Sequence, residues 1–376
     1  MSQTTAPVSR PAIAKRSFDI RAVLLEGRAF LALIVIFVVF SVLAPTSFPT
    51  LSNIIVMSQQ VSVYALLSVG MLVVILNGGI DLSVGSTLGL SGMVAGLAMQ
   101  GIKIFGVTLY PAVWVVVILA VAAGALVGLL NGLLVARLKV APFVATLGTL
   151  YVVRGLAELS TNGLTVNNLE GNAELGNTGF FWLGFNSLIG VPIGVWVLAV
   201  VAILALFLLN RSVFGRWLYA SGGNERAAEL SGVPVRRVKV WAYVISGVCA
   251  AIAGVVLTSE LTSAGPTQGT SYELTAIAAV VIGGAALSGG RGTVRGTLLG
   301  AFVIGFLAAG LTIVGVSAYV QTVFTGAVIV LAVLLNSIQY RRRTRAKSGA
   351  GTPPLSTSSK PATATATEGR LREDRQ

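Results

Sequence analysis

The sequence predicts an all-α polytopic membrane protein. Of its 376 residues 55% are hydrophobic and only 10% charged, against about 25% charged in ordinary soluble chains. The apolar residues fall in repeated blocks long enough to cross roughly 30 Å of hydrocarbon as helices, and the mean hydropathy is +0.87. The 26 lysines and arginines gather in short connections and tails, the pattern that sets membrane orientation. A water-facing surface of this length cannot be built from so little charge, so a soluble enzyme is excluded.

In order along the chain, residues 1–28 are polar and carry Arg10, Lys15, Arg16, Arg21 and Arg28, which predicts a cytoplasmic tail. Phe30–Leu43 follows without a small-residue cleavage site and is expected to be a first span rather than a cleaved signal. The transmembrane domain is expected over 29–340, with about ten spans near 29–44, 56–76, 82–98, 113–136, 142–160, 188–209, 240–258, 274–288, 296–314 and 318–338. The segment 82–98 is rich in small residues and also fits a re-entrant element. Charge argues for counting it as a span. With ten spans and both termini cytoplasmic, every Lys and Arg except Lys103 and Arg154 falls inside, and omitting it alone would put the cluster Arg211–Lys239 outside. Residues 341–376 begin with Arg341, Arg342, Arg343, Arg345 and Lys347 and continue as a Ser/Thr/Pro/Ala-rich tail expected to be disordered.

A candidate internal repeat appears at an offset of 205: Gly78–Gly85 resembles Gly283–Gly290, and Leu129–Asn131 aligns with Leu334–Asn336. Both pairs fall at inner ends, so the repeat would be parallel in orientation. Glycines spaced four apart recur at Gly85/Gly89, Gly92/Gly96, Gly124/Gly128/Gly132 and Gly292/Gly296/Gly300. In lipid, close backbone approach through small residues holds helices together; the same smooth faces would also permit sliding.

Several chemistries are absent from the pattern. A single cysteine and no histidine exclude a disulfide framework and the common zinc sets. No G-x-x-x-x-G-K-[ST] loop occurs, so ATP hydrolysis by that route is not expected of this chain. No cofactor or metal is expected, and the basic balance reflects orientation rather than nucleic-acid binding.

Asn77-Gly78-Gly79-Ile80-Asp81-Leu82-Ser83 places a carboxylate between two apolar runs, where ionisation at mid-membrane costs at least about 2.5–3.5 kcal/mol. Two roles are open to Asp81. It can cap a helix beginning at Leu82, after a turn made by Gly78 and Gly79, or form a pathway or gating site with Asn77 and Ser83. In Pro142–Thr149, Thr146 and Thr149 can bond a polar solute or their own backbone. Arg154 can pair with Glu158 four residues on, or reach the membrane interface. The longest connection, about 210–239, contains Gly222–Pro234, with Asn224 as N-cap, Glu225, Ala227, Ala228 and Glu229 in the helix, Ser231 near its end, Gly232 as stop and Pro234 forbidding continuation. A two-turn helix between spans suits docking of its Ala/Leu face on a cytoplasmic partner.

GGIDLSVGS at 78–86, ATLGT at 145–149 with RGL at 154–156, and GGNERAAELSGV at 222–233 together resemble the ribose/xylose/arabinose-type permease subunits of bacterial ABC importers. The resemblance covers about residues 30–338. It implies a non-enzymatic, multi-pass permease of the bacterial inner membrane that imports a monosaccharide or polyol. It also implies a second permease subunit (identical or sister), separate ATPase subunits coupled through Asn224–Val233, and an extracytoplasmic sugar-binding protein. The tail after Ser348 is atypical of that family. From the residues alone, two other readings stand: an ion-coupled secondary transporter, and a non-transporting membrane scaffold.

Overall fold

In the computed structural model the described residues are 27–328, 330, 331 and 334; the expected tails lie outside them except for Gly27 and Arg28, and Arg28 opens the first helix. The architecture is helical, and five helices are long and apolar enough to cross a membrane. They are α2 (Leu51–Leu76), α4 (Val113–Ala136), α7 (Ile193–Arg211), α10 (Val235–Leu261) and α12 (Val294–Ile313). Between and beside them run α1 (Arg28–Leu43), α3 (Val84–Met99), α5 (Pro142–Leu159), the short α6 (Trp182–Phe185) and α11 (Tyr272–Ile282), followed by helical residues 318–328, and β1 (Ile102–Ile104) pairs with β2 (Val107–Leu109) between α3 and α4.

α2 is the spine. Thr50 caps its start by accepting from the Asn53 amide, and from Val61 to Leu76 nearly every side chain is buried. α10 packs on α2, α3 and α4, while α12 packs on α11, α2 and α1, so α2 is shared by both groups. α1 closes one side through an aromatic cluster in which Phe48 lies 5.4 Å from Phe40 and 6.5 Å from Phe306. Its other face, with Val35, Val38, Val39 and Val42, is exposed apolar surface of the kind that suits lipid.

The glycine spacings resolve into backbone seams. Cβ atoms at Gly124, Gly128 and Gly132 of α4 would meet the α10 backbone at Gly247, Tyr243 and Val240 respectively. Gly296 and Gly300 of α12 lie in the same way on Gly283 and Ala279. Packing accounts for these positions.

Several boundaries differ from expectation. α3 begins at Val84 rather than Leu82, and its 16 residues reach only about 24 Å at 1.5 Å per residue. It is nevertheless almost wholly buried, which is where so short and small-sided a helix is tolerated at membrane depth. α11 stops at Ile282 instead of 288, because Gly283 and Gly284 turn the chain. α7 starts at Ile193, after a hairpin of β4 (Ser187–Leu188) and β5 (Val191–Pro192).

The connection 210–239 holds two helices, not one: α8 (Val213–Gly223) and α9 (Glu225–Leu230). The reason is a second cap, Ser212, whose hydroxyl accepts from the Gly215 amide at 3.0 Å and donates to the Leu208 carbonyl. A Cβ at Gly215 would strike the carbonyls of Leu208 and Leu209, so glycine permits this sharp corner.

The two halves of the candidate repeat make matching caps. The Gly78 amide donates to the Ile75 carbonyl and the Gly79 amide to that of Val74; the Gly284 amide donates to the Val281 carbonyl and the Ala285 amide to that of Val280, in the same pattern. The left-handed glycines are Gly78 and Gly284, 206 apart, one more than the ungapped offset. The second pair, Leu129–Asn131 with Leu334–Asn336, runs outside the described residues at 335 and 336.

Candidate functional site

Helix hairpins bring the C-terminal ends of α2, α4 and α7, the N-terminal ends of α3, α5, α10 and α12, and the pair α8–α9 to one end of the bundle. The opposite end is tied by β3 (Val166–Asn167) pairing with β6 (Ser263–Ala264).

Near the first end a buried polar cluster joins four elements. Asp81 Oδ1 accepts from the Ser83 amide at 3.0 Å and the Ser83 hydroxyl at 2.7 Å, and Oδ2 accepts from Ser246 Oγ of α10 at 2.9 Å. Asn131 Nδ2 of α4 donates to Ser83 Oγ at 2.8 Å, and its Oδ1 accepts from Thr149 Oγ1 of α5 at 2.7 Å. Thr146 Oγ1 donates to its own helix at Pro142 O (2.9 Å) and lies 3.2 Å from Ile80 O. Asp81, Ser83, Asn131, Thr149 and Ser246 are all buried. The Tyr243 hydroxyl, buried and without a hydrogen-bond partner among the described residues, lies beside Gly79.

Asp81 therefore does not sit at the cap position of a helix beginning at Leu82. Ser83 holds that position, and Asp81 binds its amide from two residues earlier while reaching across to α10. The structure brings Asp81, Ser83 and Thr149 together; Thr146 adjoins them through the backbone. Asn77 stands apart, donating to Ser221 Oγ of α8 at 2.7 Å. Ser246, Asn131 and Tyr243 have no local sequence signal. Their role follows only from the folded proximity of segments far apart in the chain.

Among the described residues Arg154 forms no ion pair with Glu158. Half-buried, its Nη1 donates to the carbonyls of Pro266 and Gln268, the latter at 2.9 Å, and so clamps the loop between β6 and α11 at the opposite end. Glu273 and Glu158 are the carboxylates within its electrostatic reach. A groove of about 470 Å³ lies alongside, lined by Gly155, Glu158, Leu159, Asn162, Gly163, Pro266 and Thr267.

In the helix pair, Asn224 caps α9 by accepting from the Ala227 amide at 3.0 Å. Gly232, with φ +83°, closes it: its amide bonds Glu229 O, and Val233 bonds Ala228 O, the usual glycine stop. Lys239 of α10 donates to both Glu225 carboxylate oxygens at 2.8 Å and pins the helix down. The expected docking face is altered here. Ala228 is buried against the protein, whereas Ala227, Arg226, Ser231 and Leu230, the last 76% exposed, face outward. Tyr219 of α8 donates to Gly292 O at 2.8 Å, and burial pushes its hydroxyl pKa up, so it remains a donor at physiological pH.

A helical bundle with five membrane-length apolar helices, backbone seams and an internally bonded polar cluster has the architecture of a polytopic membrane protein. The family model described as "Branched-chain amino acid transport system / permease component" matches residues 53–333. Ribose import permease protein RbsC of Escherichia coli (strain K12) is 42% identical over 326 residues, 86% of this chain and 98% of its own. RbsC of Bacillus subtilis (strain 168) is 44% identical over 308 residues, 82% and 91% of the two chains. Galactose/methyl galactoside import permease protein MglC of E. coli (strain K12) is 35% identical over 349 residues, 88% and 99%. No solved structure matches. The chain belongs to this family of transport-system permease components.

Proposed function

We propose that this chain is the membrane permease subunit of an ABC importer for a monosaccharide, driven by separate ATPase subunits through α9. The observation that carries the reading is the form of α9 itself. It is capped at both ends, pinned by Lys239, and leaves Leu230 exposed beside Arg226 and Ala227. An exposed leucine on a rigid helix, at an end rich in cations, fits the groove of a cytoplasmic protein. The family description spans amino-acid permeases, but the similar proteins named above import ribose and galactose, which supports a sugar.

On this reading the five long apolar helices α2, α4, α7, α10 and α12, together with α1, α3, α5, α11 and the helical segment from 318, count as ten crossings. Arg137, Lys139, Arg211, Arg216, Arg226, Arg236, Arg237, Lys239, Arg291 and Arg295 share the end that carries α8 and α9, which makes that end cytoplasmic by the positive-inside rule. On this reading both termini are cytoplasmic, the domain limits are those predicted above, and the extracytoplasmic binding protein delivers solute to the opposite end. ATP binding closes the ATPases, displaces α9 and biases the bundle between outward and inward states. The nucleotide shifts that balance only through its differential affinity for the two states. Asp81, fully engaged by serines, is an internal strut here rather than the ion site a coupled secondary transporter requires.

The test is to purify the complex from its native membrane, identify its companions, and titrate the captured binding protein with D-ribose, D-galactose and D-allose. ATPase and binding-protein subunits with saturable binding of one sugar are expected. Uphill uptake by the isolated chain without an ATPase overturns the proposal.

A further inference from the structure

Three backbone segments meet immediately before α9. Gly290 N, in the turn between α11 and α12, donates to Leu76 O at the end of α2 at 2.9 Å. Asn77 binds Ser221 of α8, and Tyr219 of α8 binds Gly292 O. At the centre is Gly222. A Cβ there would fall on the Leu76 carbonyl oxygen and 2.7 Å from Gly290 N. A Cβ at Gly289 would lie 2.7 Å from Gly222 O and 2.9 Å from Gly78 N. The main chains of α2, α8 and the α11–α12 turn thus touch with no side chain between them, and Asn224, the cap of α9, is two residues away.

We infer that Gly222 is a positioning residue for transport: it seats the α8–α9 pair directly on the ends of both caps, so that displacement of α9 moves α2 and the α11–α12 turn as one rigid unit. This rests on the reading of α9 as the ATPase dock. The physical ground is stiffness. A backbone-to-backbone contact held by hydrogen bonds has no rotamer to absorb a push, whereas a side-chain contact yields by changing χ. Neighbouring Gly223 provides an internal comparison, because a Cβ there would meet nothing within 4 Å.

The experiment uses the whole importer in proteoliposomes. It measures ATP hydrolysis and uptake of whichever of D-ribose, D-galactose and D-allose binds in the titration above, in radiolabelled form. For Gly222→Ala, hydrolysis stimulated by loaded binding protein persists while sugar carried per ATP falls by roughly tenfold, within the usual range for coupling between sites. Gly223→Ala behaves as the parent. An unchanged ratio in Gly222→Ala overturns the inference. So does loss of the ATPase from that variant, since the junction would then shape the dock rather than transmit motion. The dock reading itself fails separately, if Leu230→Glu retains the ATPase. Should Gly222→Ala not assemble, a short bis-methanethiosulfonate bridge between Asn77→Cys and Ser221→Cys, in a Cys249→Ala background with Gly222 intact, decides. Transport continues with the bridge closed if the junction moves as a unit, and stops if it must open.

Discussion

Asp81 offers the sharpest quantitative test of the polar cluster. Its two oxygens accept three hydrogen bonds, from the Ser83 amide, the Ser83 hydroxyl and the Ser246 hydroxyl. Removing the carboxylate with Asp81→Ala forfeits three charge-assisted bonds of about 1.5–3 kcal/mol each. It also relieves the cost of a charge at membrane depth, at least about 2.5–3.5 kcal/mol. The balance is a loss of roughly 1–6.5 kcal/mol. Asp81→Asn keeps an oxygen for the Ser83 amide and turns an NH₂ toward Ser246, whose hydroxyl can accept as well as donate. It sheds the charge at the same time, so its net effect stays within about 1 kcal/mol. The assay pairs thermal unfolding of the purified permease in detergent with sugar uptake by the assembled importer. Asp81→Ala lowers the unfolding midpoint, while Asp81→Asn leaves both midpoint and uptake near the parent values. A stably folded Asp81→Asn protein that no longer transports refutes the strut and restores a pathway role for the carboxylate.

Leu230→Glu puts a charge on the free face of α9 and is expected to abolish co-purification of the ATPase with the bundle intact; Ala228→Glu, at a buried position, instead lowers the stability of the helix pair itself, read by protease cleavage within 213–233. Gly128→Leu drives a side chain into the Tyr243 carbonyl and Val244 Cα, costing about 1–3 kcal/mol or more as overpacking and lowering the unfolding midpoint. Gly148→Ala, in the open on α5, is expected to stabilise the helix by roughly 1 kcal/mol through propensity. Arg154→Ala frees the carbonyls of Pro266 and Gln268, and faster proteolysis or hydrogen exchange over 262–272 is the check.

The positions of the helices were legible because lipid imposes a composition on long segments that survives any detail of packing. Their ends were less so: α11 stops at Gly283 through a cap built with Gly284, and a glycine in an apolar run does not announce which side of the turn it occupies. α8 escaped because Gly215 and Arg216 interrupt its apolar face, Phe214 and Leu218, although Ser212 is an ordinary capping residue. α9 was readable from Asn224 to Gly232, since caps are local chemistry. Its orientation was not, because Ala227 and Ala228 are chemically alike and only tertiary packing decides which is buried. For the same reason Asp81, Ser83 and Thr149 stood out as polar residues in apolar surroundings, while the partners Ser246 and Asn131 looked like ordinary small or amide residues on long helices.

The distribution of contacts also constrains how such a bundle can transmit work. α4 and α10 share a backbone seam at Gly124, Gly128 and Gly132, and α11 and α12 share another at Gly296 and Gly300. Within each pair main chain approaches main chain closely, and on the proposed reading each pair moves as a block. α2 packs against members of both blocks and is buried along most of its length. Its end is different: Leu76 O and Asn77 are held by Gly290 and Ser221, one from the α11–α12 block and one from α8. On the proposal above, a displacement arriving through α8 would reach the spine at this end, where both blocks adjoin it. On the proposed reading, this is how a chain with no nucleotide loop of its own would be moved from a single short helix at its surface.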